Sequence, residues 1–222
     1  PLVIDGVIYT TTPKLKVVAL DGATGKRLWQ FDPYGGAEAG QTLNRGVSYW
    51  RKGSEARILF TAGPHLYALD AKAGRQIQTF GKQGRVDLRE GLGIDPECAY
   101  VDATSPGAIY DDLIAIGTRV GEGVISAPGH IRAYDVRTGA MRWIFHTIPH
   151  PGEQGHDTWP KEAWRWAGGA NAWGGISVDT KRGIFFAGTG TSTYDYWGGN
   201  RHGDNLFANT VLALDARTGE GV

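Results

Sequence analysis

The seven residues Ala19-Leu20-Asp21-Gly22-Ala23-Thr24-Gly25 form a short pattern that recurs three more times along the 222-residue sequence. The other copies begin at Ala68, Ala133 and Ala213, and all four share the first alanine, the aspartate and the final glycine. Repetition of this kind is typical of folds that build one small supersecondary unit several times. We therefore interpret the pattern as the frame of the fold.

The residues of the pattern predict a strand, a tight turn and a second strand. Apolar residues at positions 17–20 predict the first strand. Asp21 can accept hydrogen bonds from backbone amides of the turn, and Gly25 can adopt the positive φ that ends it. Trp29 and Trp143 follow the first and third copies at equal distance, where Gln78 follows the second. The indoles provide large surfaces for packing between neighbouring units.

Another strand is predicted before each copy, so the repeated unit is a small antiparallel sheet. These strands are predicted at residues 2–10, 57–62, 111–119 and 183–187. The spacing of the pattern widens along the chain, which predicts loops of unequal length on a constant frame, and such loops usually carry function. The longest stretch outside the repeats, residues 146–173, is interpreted as one loop and not as a second domain. The fold class is thus all-β, and the repeats favour a propeller.

Composition excludes several functional classes. The 23 basic and 23 acidic residues balance, which suggests neither a nucleic-acid partner nor an acidic membrane partner. Cys98 is the one cysteine, so an internal disulfide is excluded. No apolar run approaches the roughly 18 residues of a membrane-spanning helix. The sequence opens inside a strand pattern and stops inside a turn, so we expect a piece of a larger protein, truncated at both ends.

The repeat Ala-x-Asp-x-x-Thr-Gly-x-x-x-Trp resembles the tryptophan-docking motif of pyrroloquinoline quinone (PQQ) dehydrogenases, the quinoprotein family of methanol, alcohol and membrane glucose dehydrogenases. The resemblance covers essentially the whole chain. It implies an eight-bladed β-propeller of four-stranded antiparallel blades, of which residues 1–222 form about half as one partial domain. Cofactor-free propellers of outer-membrane assembly machinery share the repeat, so a protein-assembly scaffold is the alternative function.

Motifs outside the repeats resemble the family's cofactor site in the family's order. Arg45, in an Asn-Arg-Gly segment, is similar to the arginine that contacts the quinone carbonyls, where a guanidinium can stabilise developing negative charge. Thr104 matches a threonine that bonds a cofactor carboxylate. Thr118 and Arg119 would lie near the cofactor carboxylates, and Glu122 would bind Ca²⁺. The structural alternatives are a surface arginine and a solvated turn glutamate.

Two later motifs continue this resemblance. Trp173 resembles the tryptophan that lies flat under the quinone ring, and Asn171 stands where a polar side chain meets a cofactor edge. A tryptophan that only packs between blades is the alternative. Thr191 would offer an oxygen to Ca²⁺. A phosphate-binding loop is rejected there, since the glycines are followed neither by Lys-Ser/Thr nor by a helix pattern.

The resemblance also implies a branch of the family and a reaction. Ala39 and Gly40 stand where alcohol-oxidising members have adjacent cysteines, so the chain is closer to the membrane glucose and polyol dehydrogenase branch. The implied reaction is hydride transfer from an alcohol, polyol or sugar to PQQ, with Ca²⁺ and Arg45 polarising the quinone. The implied acceptor is cytochrome c or membrane ubiquinone, and the location is the periplasm, with any membrane association through segments outside this sequence. The general base would lie beyond residue 222, so residues 1–222 alone are expected to be inactive.

Three histidines of the long loop need a separate interpretation. His146, His150 and His156 are four and six residues apart in a stretch interrupted by proline. No helix can align them as a zinc site and no cysteine assists, so zinc is not predicted. Because the loop leads to Trp173, a role at the mouth of the cofactor or substrate site is favoured. The absence of Cys-x-x-Cys-His excludes covalent haem from this stretch.

Overall fold

The computed structural model describes residues 1–40, 43–123 and 126–222, and strands dominate it. The strands are β1 (Leu2–Ile4), β2 (Val7–Thr11), β3 (Val17–Asp21), β4 (Arg27–Phe31), β5 (Ser48–Lys52), β6 (Glu55–Ala62), β7 (His65–Asp70), β8 (Arg85–Asp87), β9 (Val101–Asp102), β10 (Ala108–Tyr110), β11 (Leu113–Ile116), β12 (Arg119–Val120), β13 (Ile131–Asp135), β14 (Met141–Phe145), β15 (Ile176–Asp179), β16 (Ile184–Gly188) and β17 (Val211–Asp215). Short 3₁₀ helices occur at His156–Thr158 and Ala163–Arg165.

The strands form four antiparallel sheets that follow one another along the chain. Their orders are β1-β2-β3-β4, β5-β6-β7-β8, β10-β11-β13-β14 and β15-β16-β17. β9 and β12 pair as a separate two-stranded ribbon. In the sequence, β9 precedes β10 and β12 follows β11 of the third sheet. The predicted all-β class and the repeated antiparallel sheet are confirmed, although the fourth sheet has three strands within the described residues. The count of eight blades stays a prediction.

In each sheet, the repeated pattern forms the same kind of turn at the end of the third strand. In the first copy, Asp21 Oδ1 accepts hydrogen bonds from the backbone N–H groups of Ala23 and Thr24 at 3.2 and 2.8 Å. Gly25 then adopts a φ of 71°. The hydrogen bonds from the Thr24 side chain and backbone hold the pKa of Asp21 below its usual value. The final glycines of the other three copies also have positive φ, so the turn prediction is confirmed.

The first predicted strand is wrong in one respect, because residues 2–10 form a hairpin. Asp5 and Gly6 have φ of 49° and 78° and connect β1 to β2. Two central residues of positive φ match the twist of the flanking strands, which favours Asp-Gly at such a turn. The strand predicted at 111–119 is wrong at both ends, since Asp111, with a φ of 50°, lies in the turn before β11, and residues 117–118 separate β11 from β12.

The apolar core lies between consecutive sheets. Along β6, Leu59 packs in a cluster with residues of the third sheet, whereas Ile58 and Phe60 pack in a cluster with the first sheet. This alternation follows from the two-residue period of a strand. Inner sheets are therefore buried on both faces. A third cluster, which includes Phe185 and Leu214, joins the third and fourth sheets.

The tryptophans after the pattern contact the turn of the next sheet. The Trp29 indole N–H donates to the carbonyl of Ala71 at 3.1 Å, and its ring covers Gly74. Trp143 makes the equivalent hydrogen bond to Ala216 at 3.1 Å and covers the glycine that ends the fourth copy. The sheets that begin with β5 and β10 are joined differently, because Gly81 N–H donates to the Thr138 carbonyl at 2.8 Å.

The long stretch at residues 146–173 packs as a loop with a small apolar cluster of its own. The cluster contains Ile148, Trp159, Ala163, Ala167 and Ala170. The loop begins directly after β14 of the third sheet and ends shortly before β15. The helices within the described residues are each three residues long, far too short to cross a bilayer.

Candidate functional site

A cavity of about 260 Å³ gathers residues from four separate motifs. Its lining is Arg45, Arg119, Val120, Gly121, Glu122, Gly169, Asn171, Trp173, Gly190, Thr191 and Asp195. The cavity therefore brings together six of the residues named from the sequence, namely Arg45, Arg119, Glu122, Asn171, Trp173 and Thr191. Thr104 and Thr118 lie behind its wall. The roles assigned to these residues stay predictions.

Arg45 enters the cavity from the segment before β5. Its backbone N–H donates to the carbonyl of Thr104 at 2.8 Å, and its guanidinium donates to the Thr104 hydroxyl. The guanidinium carbon lies 5.8 Å from the ring centroid of Trp173. Thr104 is buried, so its contact with Arg45 positions the cation. The arginine is consequently held over an aromatic face with donors directed at the cavity.

Trp173 and Asn171 form another wall of the cavity. The Trp173 side chain is 50% exposed, and its carbonyl accepts a hydrogen bond from the Ser105 hydroxyl at 2.9 Å. Asn171 donates from Nδ2 to the carbonyl of Thr118 at 2.8 Å. The Asn171 carbonyl accepts from the N–H of Gly190 at 3.0 Å. These bonds fix a flat aromatic surface that solvent and a ligand can reach.

Thr118 and Arg119 occupy the strand end beside Asn171. The Thr118 hydroxyl is fully buried and has no hydrogen-bond partner among residues 1–40, 43–123 and 126–222. A buried hydroxyl without a partner costs free energy, so it suits a site where a ligand supplies the partner. Arg119 contacts the Tyr100 hydroxyl and lies 3.6 Å from a carboxylate oxygen of Asp102. These contacts orient its guanidinium along the cavity wall.

Oxygen ligands meet on the remaining side of the cavity. Glu122 is exposed and Asp195 is partly buried. Burial, and secondly the negative charge of Glu122, raise the pKa of Asp195, while the Arg201 guanidinium opposes this shift. Arg201 also approaches the Thr191 hydroxyl, with Nη2 to Oγ1 at 3.4 Å. Two neighbouring carboxylates and a threonine oxygen form a set of donors that suits a hard cation.

Asp195 was missed by the sequence reasoning, which assigned no role to it. The signal was present, because it is the acidic residue four positions after Thr191 in the same glycine-rich segment. Whether Asp195 comes close to Glu122, however, depends on how residues 188–201 pack against the strand that ends near residue 122. That contact is not visible in a one-dimensional pattern.

The histidine interpretation needs one correction. His146 and His150 do come together without a helix, since their rings stack with centroids 3.8 Å apart and His130 lies beside them. His156 lies elsewhere, with Nε2 3.1 Å from the carbonyl of Lys161. The pocket lined by His130, His146 and His150 shares no lining residue with the cavity around Trp173. His146 and His150 therefore do not line the cavity itself, and a role at the mouth of the cofactor or substrate site stays a prediction.

Comparison with known families decides where the chain belongs. The family model described as "Glucose/ethanol/alcohol dehydrogenase, beta-propeller domain", of the PQQ type, matches residues 1–222. The chain belongs to the PQQ-dependent dehydrogenase family. This PQQ-family chain is 30% identical over 246 residues to quinate/shikimate dehydrogenase (quinone) of Acinetobacter baylyi, covering 99% of the chain and 30% of that relative.

Further relatives of this PQQ-family chain agree. It is 32% identical over 247 residues to the dehydrogenase subunit of alcohol dehydrogenase (quinone) from Gluconacetobacter polyoxogenes, covering 100% of the chain and 31% of that subunit. Quinohemoprotein alcohol dehydrogenase from Comamonas testosteroni superposes with a TM-score of 0.79 at 25% identity, over 100% of this chain and 33% of that one. The chain thus spans about a third of the length of these relatives.

Proposed function

We propose that the full-length protein is a PQQ-dependent dehydrogenase that oxidises a hydroxyl group of an alcohol, polyol or sugar. The observation that carries this proposal is the single cavity that places Arg45 over Trp173 and opposite the carboxylates of Glu122 and Asp195. Because the chain spans about a third of its relatives, the activity belongs to the full-length protein. The quinate, alcohol and other hydroxyl-bearing substrates in the names of the relatives support this substrate class.

The residues present fit PQQ, a planar cofactor with quinone oxygens and carboxylates. Trp173 offers an accessible flat face, and Arg45 and Arg119 offer two permanent positive charges on the cavity wall. The Asn171 amide adds a hydrogen-bonding group on the cavity wall, and the unpartnered Thr118 hydroxyl lies buried behind that wall. We assign the direct cofactor contacts to Arg45, Arg119, Asn171 and Trp173, with Thr104 acting through Arg45 and Thr118 acting through Asn171, whose amide donates to the Thr118 carbonyl.

The oxygen donors of the cavity fit a calcium ion. Glu122, Thr191 and Asp195 line the same cavity, and their oxygens are the ligands that Ca²⁺ takes in proteins. We assign the Ca²⁺ site to these three residues. A cation there also offsets the negative charge of Glu122, which adds to burial in raising the pKa of Asp195.

The chain's own residues then serve the reaction in distinct ways. PQQ held by these residues would supply the hydride acceptor for oxidation of the alcohol carbon. Arg45 donates hydrogen bonds toward oxygen atoms that gain negative charge, and the Thr104 hydroxyl and carbonyl hold it in that orientation. Trp173 and Arg45 together form one face of the site. The general base, an Asp in the family, is assigned to the protein beyond residue 222.

The finer assignments follow the resemblance. Thr191, which stands where glucose-type members of the family have a threonine, and Ala39 and Gly40, which replace adjacent cysteines, support the glucose and polyol branch. Cytochrome c or membrane ubiquinone is proposed as the electron acceptor and the periplasm as the location. The test of the function is titration of the full-length apoprotein with PQQ and Ca²⁺, followed by dye reduction with alcohols, polyols and sugars. An unchanged thermal midpoint and no reduction would favour the assembly scaffold instead.

Truncation of the Trp173 indole is expected to weaken PQQ binding. Trp173→Ala in the full-length protein should lower PQQ affinity about ten-fold or more, because a planar cofactor loses its stacking surface. Equilibrium titration followed by the cofactor's absorption measures the change. Trp166→Ala is the matched control, since Trp166 is an exposed tryptophan outside the cavity. Equal affinities in Trp173→Ala and the wild type would remove Trp173 from the site.

Loss of either carboxylate is expected to weaken Ca²⁺ binding. Glu122→Gln and Asp195→Asn should each lower the Ca²⁺ affinity of the full-length protein at least ten-fold, because each replaces a charged ligand with a neutral one. Calorimetric titration of the chelator-treated protein measures this. Glu220→Gln, in the exposed last turn, is the control. If Asp195→Asn bound Ca²⁺ as well as the control, Asp195 would not be a ligand.

A further inference from the structure

The described residues contain a group of three histidines that no part of the proposed dehydrogenase chemistry uses. His130 directly precedes β13, His146 directly follows β14, and His150 lies four residues further along the loop. One ring nitrogen from each lies within 4.8 Å of the others. The rings of His130 and His146 meet edge to face at 4.7 Å, and those of His146 and His150 stack at 3.8 Å.

From this geometry we infer that His130, His146 and His150 form a binding site for a divalent transition-metal ion, with Zn²⁺ as the fitting ion. Imidazole nitrogen is a preferred zinc ligand, and three histidines leave a fourth tetrahedral position open. Zinc–nitrogen bonds of about 2.0–2.1 Å require ligand atoms about 3.4 Å apart in a tetrahedron. Rotation of the partly exposed His146 and His150 rings closes the remaining distance.

Glu153 supplies the outer carboxylate that such sites use. Its Oε1 lies 2.8 Å from Nδ1 of His146, and its Oε2 accepts the backbone N–H of His150 at 2.7 Å. With the proton on Nδ1 facing the carboxylate, Nε2 of His146 carries a free lone pair. One residue thus orients two of the three ligands. Glu153 is a positioning residue for the site.

Thr147 holds the buried histidine in place. Its backbone N–H donates to Nδ1 of His130 at 3.2 Å, and its hydroxyl oxygen lies 3.5 Å from the same nitrogen. In the neutral ring Nδ1 therefore carries the lone pair, and His130 binds the metal through Nδ1 when the ring turns from this N–H toward the ion.

The surroundings select the kind of ion. The pocket that the three histidines line also contains Arg165, and the buried Arg132 lies close enough to His130 to act on it electrostatically. Glu153 is the carboxylate that contacts the histidines directly. Ca²⁺ and Mg²⁺ rely on oxygen ligands, which the three imidazoles do not supply, whereas nitrogen donors hold Zn²⁺ or Co²⁺. Glycines 91 and 93 leave the pocket side accessible for a fourth ligand.

Metal titration of the full-length protein tests the inference without PQQ, so its outcome is independent of the dehydrogenase proposal. Chelator-treated wild type should bind one Zn²⁺ at this site, and Co²⁺ should show the visible absorption of tetrahedral nitrogen coordination. His146→Gln and His150→Gln should each lower the affinity at least ten-fold. Glu153→Gln should lower it about ten-fold and alter the Co²⁺ spectrum.

His156→Gln is the matched control, since His156 belongs to the same loop but lies outside the cluster. It should bind Zn²⁺ and Co²⁺ as the wild type does. The inference is overturned if wild type shows no tetrahedral Co²⁺ spectrum, or if the His146 and His150 variants retain the affinity of His156→Gln. The wild-type spectrum needs no substitution, so a variant that fails to fold leaves a decisive measurement. Ca²⁺ should not displace the bound ion.

Discussion

The full-length protein with Arg45→Gln is expected to show a kcat about 10²–10³-fold below wild type, the loss typical when one preorganised donor to a developing negative charge is removed. Arg45 is the cation held over the Trp173 ring, and its guanidinium is fixed by Thr104. The loss in kcat should exceed the loss in PQQ affinity, because the interaction strengthens as charge develops. Steady-state dye reduction at saturating PQQ and Ca²⁺ gives the first number and cofactor titration gives the second.

Two further substitutions separate charge from geometry at this position. Arg45→Lys keeps the charge but loses the planar fork, so it should recover only part of the activity. Thr104→Val removes the hydroxyl that the guanidinium contacts and should produce a smaller loss of kcat than Arg45→Gln. Arg51→Gln, at an exposed position of β5, is the control for loss of a surface arginine. A kcat for Arg45→Gln within about two-fold of wild type, which is negligible beside the loss expected for a removed donor, would refute the assigned role.

Gly74→Ala is expected to lower the free energy of unfolding by about 2–5 kcal/mol, the second large effect. Gly74 has a φ of 67°, which costs an alanine about 1–2 kcal/mol. A Cβ there would also lie 2.4 Å from Cδ2 of Trp29, so the indole must move, and such overpacking costs about 1–3 kcal/mol. The displaced indole would also weaken its hydrogen bond to Ala71. Urea denaturation of the full-length protein measures the loss.

Gly25→Ala is the matched control for this experiment. Gly25 ends the first copy of the pattern with a φ of 71°, but among the described residues no atom outside Gly25 and its two chain neighbours lies within 4 Å of the position that an added Cβ would take. It should therefore lose only about 1–2 kcal/mol, the conformational part alone. Trp29→Leu in the Gly74→Ala background should recover part of the extra loss, since the smaller side chain relieves the clash. If the two glycine variants were equally destabilised, the indole contact would not contribute.

Local chemistry made much of the fold predictable. The turn after each third strand depends on an aspartate that bonds amides two and three residues ahead and on a glycine of positive φ, and both are contacts within the pattern. The hairpin at residues 2–10 was also readable, since Asp5-Gly6 is a strong turn signal, but the apolar alternation on both sides obscured it. The placement of Trp173 and Arg45 in one site was predicted from the family motifs and not from the hydrophobic periodicity of the sequence.

The sequence by itself determined the repeated antiparallel sheet, its Asp-Gly turns and the residue types of the site, because these depend on interactions between residues a few positions apart. Only the tertiary structure decided that Asp195 faces Glu122, that Thr104 supports Arg45 from behind the wall, and that His130 completes a cluster with His146 and His150. The partners in these contacts are 73, 59 and up to 20 positions apart in the numbering. Their proximity is set by how consecutive sheets pack face to face and where the unequal loops fold back, and neither is encoded in the local pattern of the repeat.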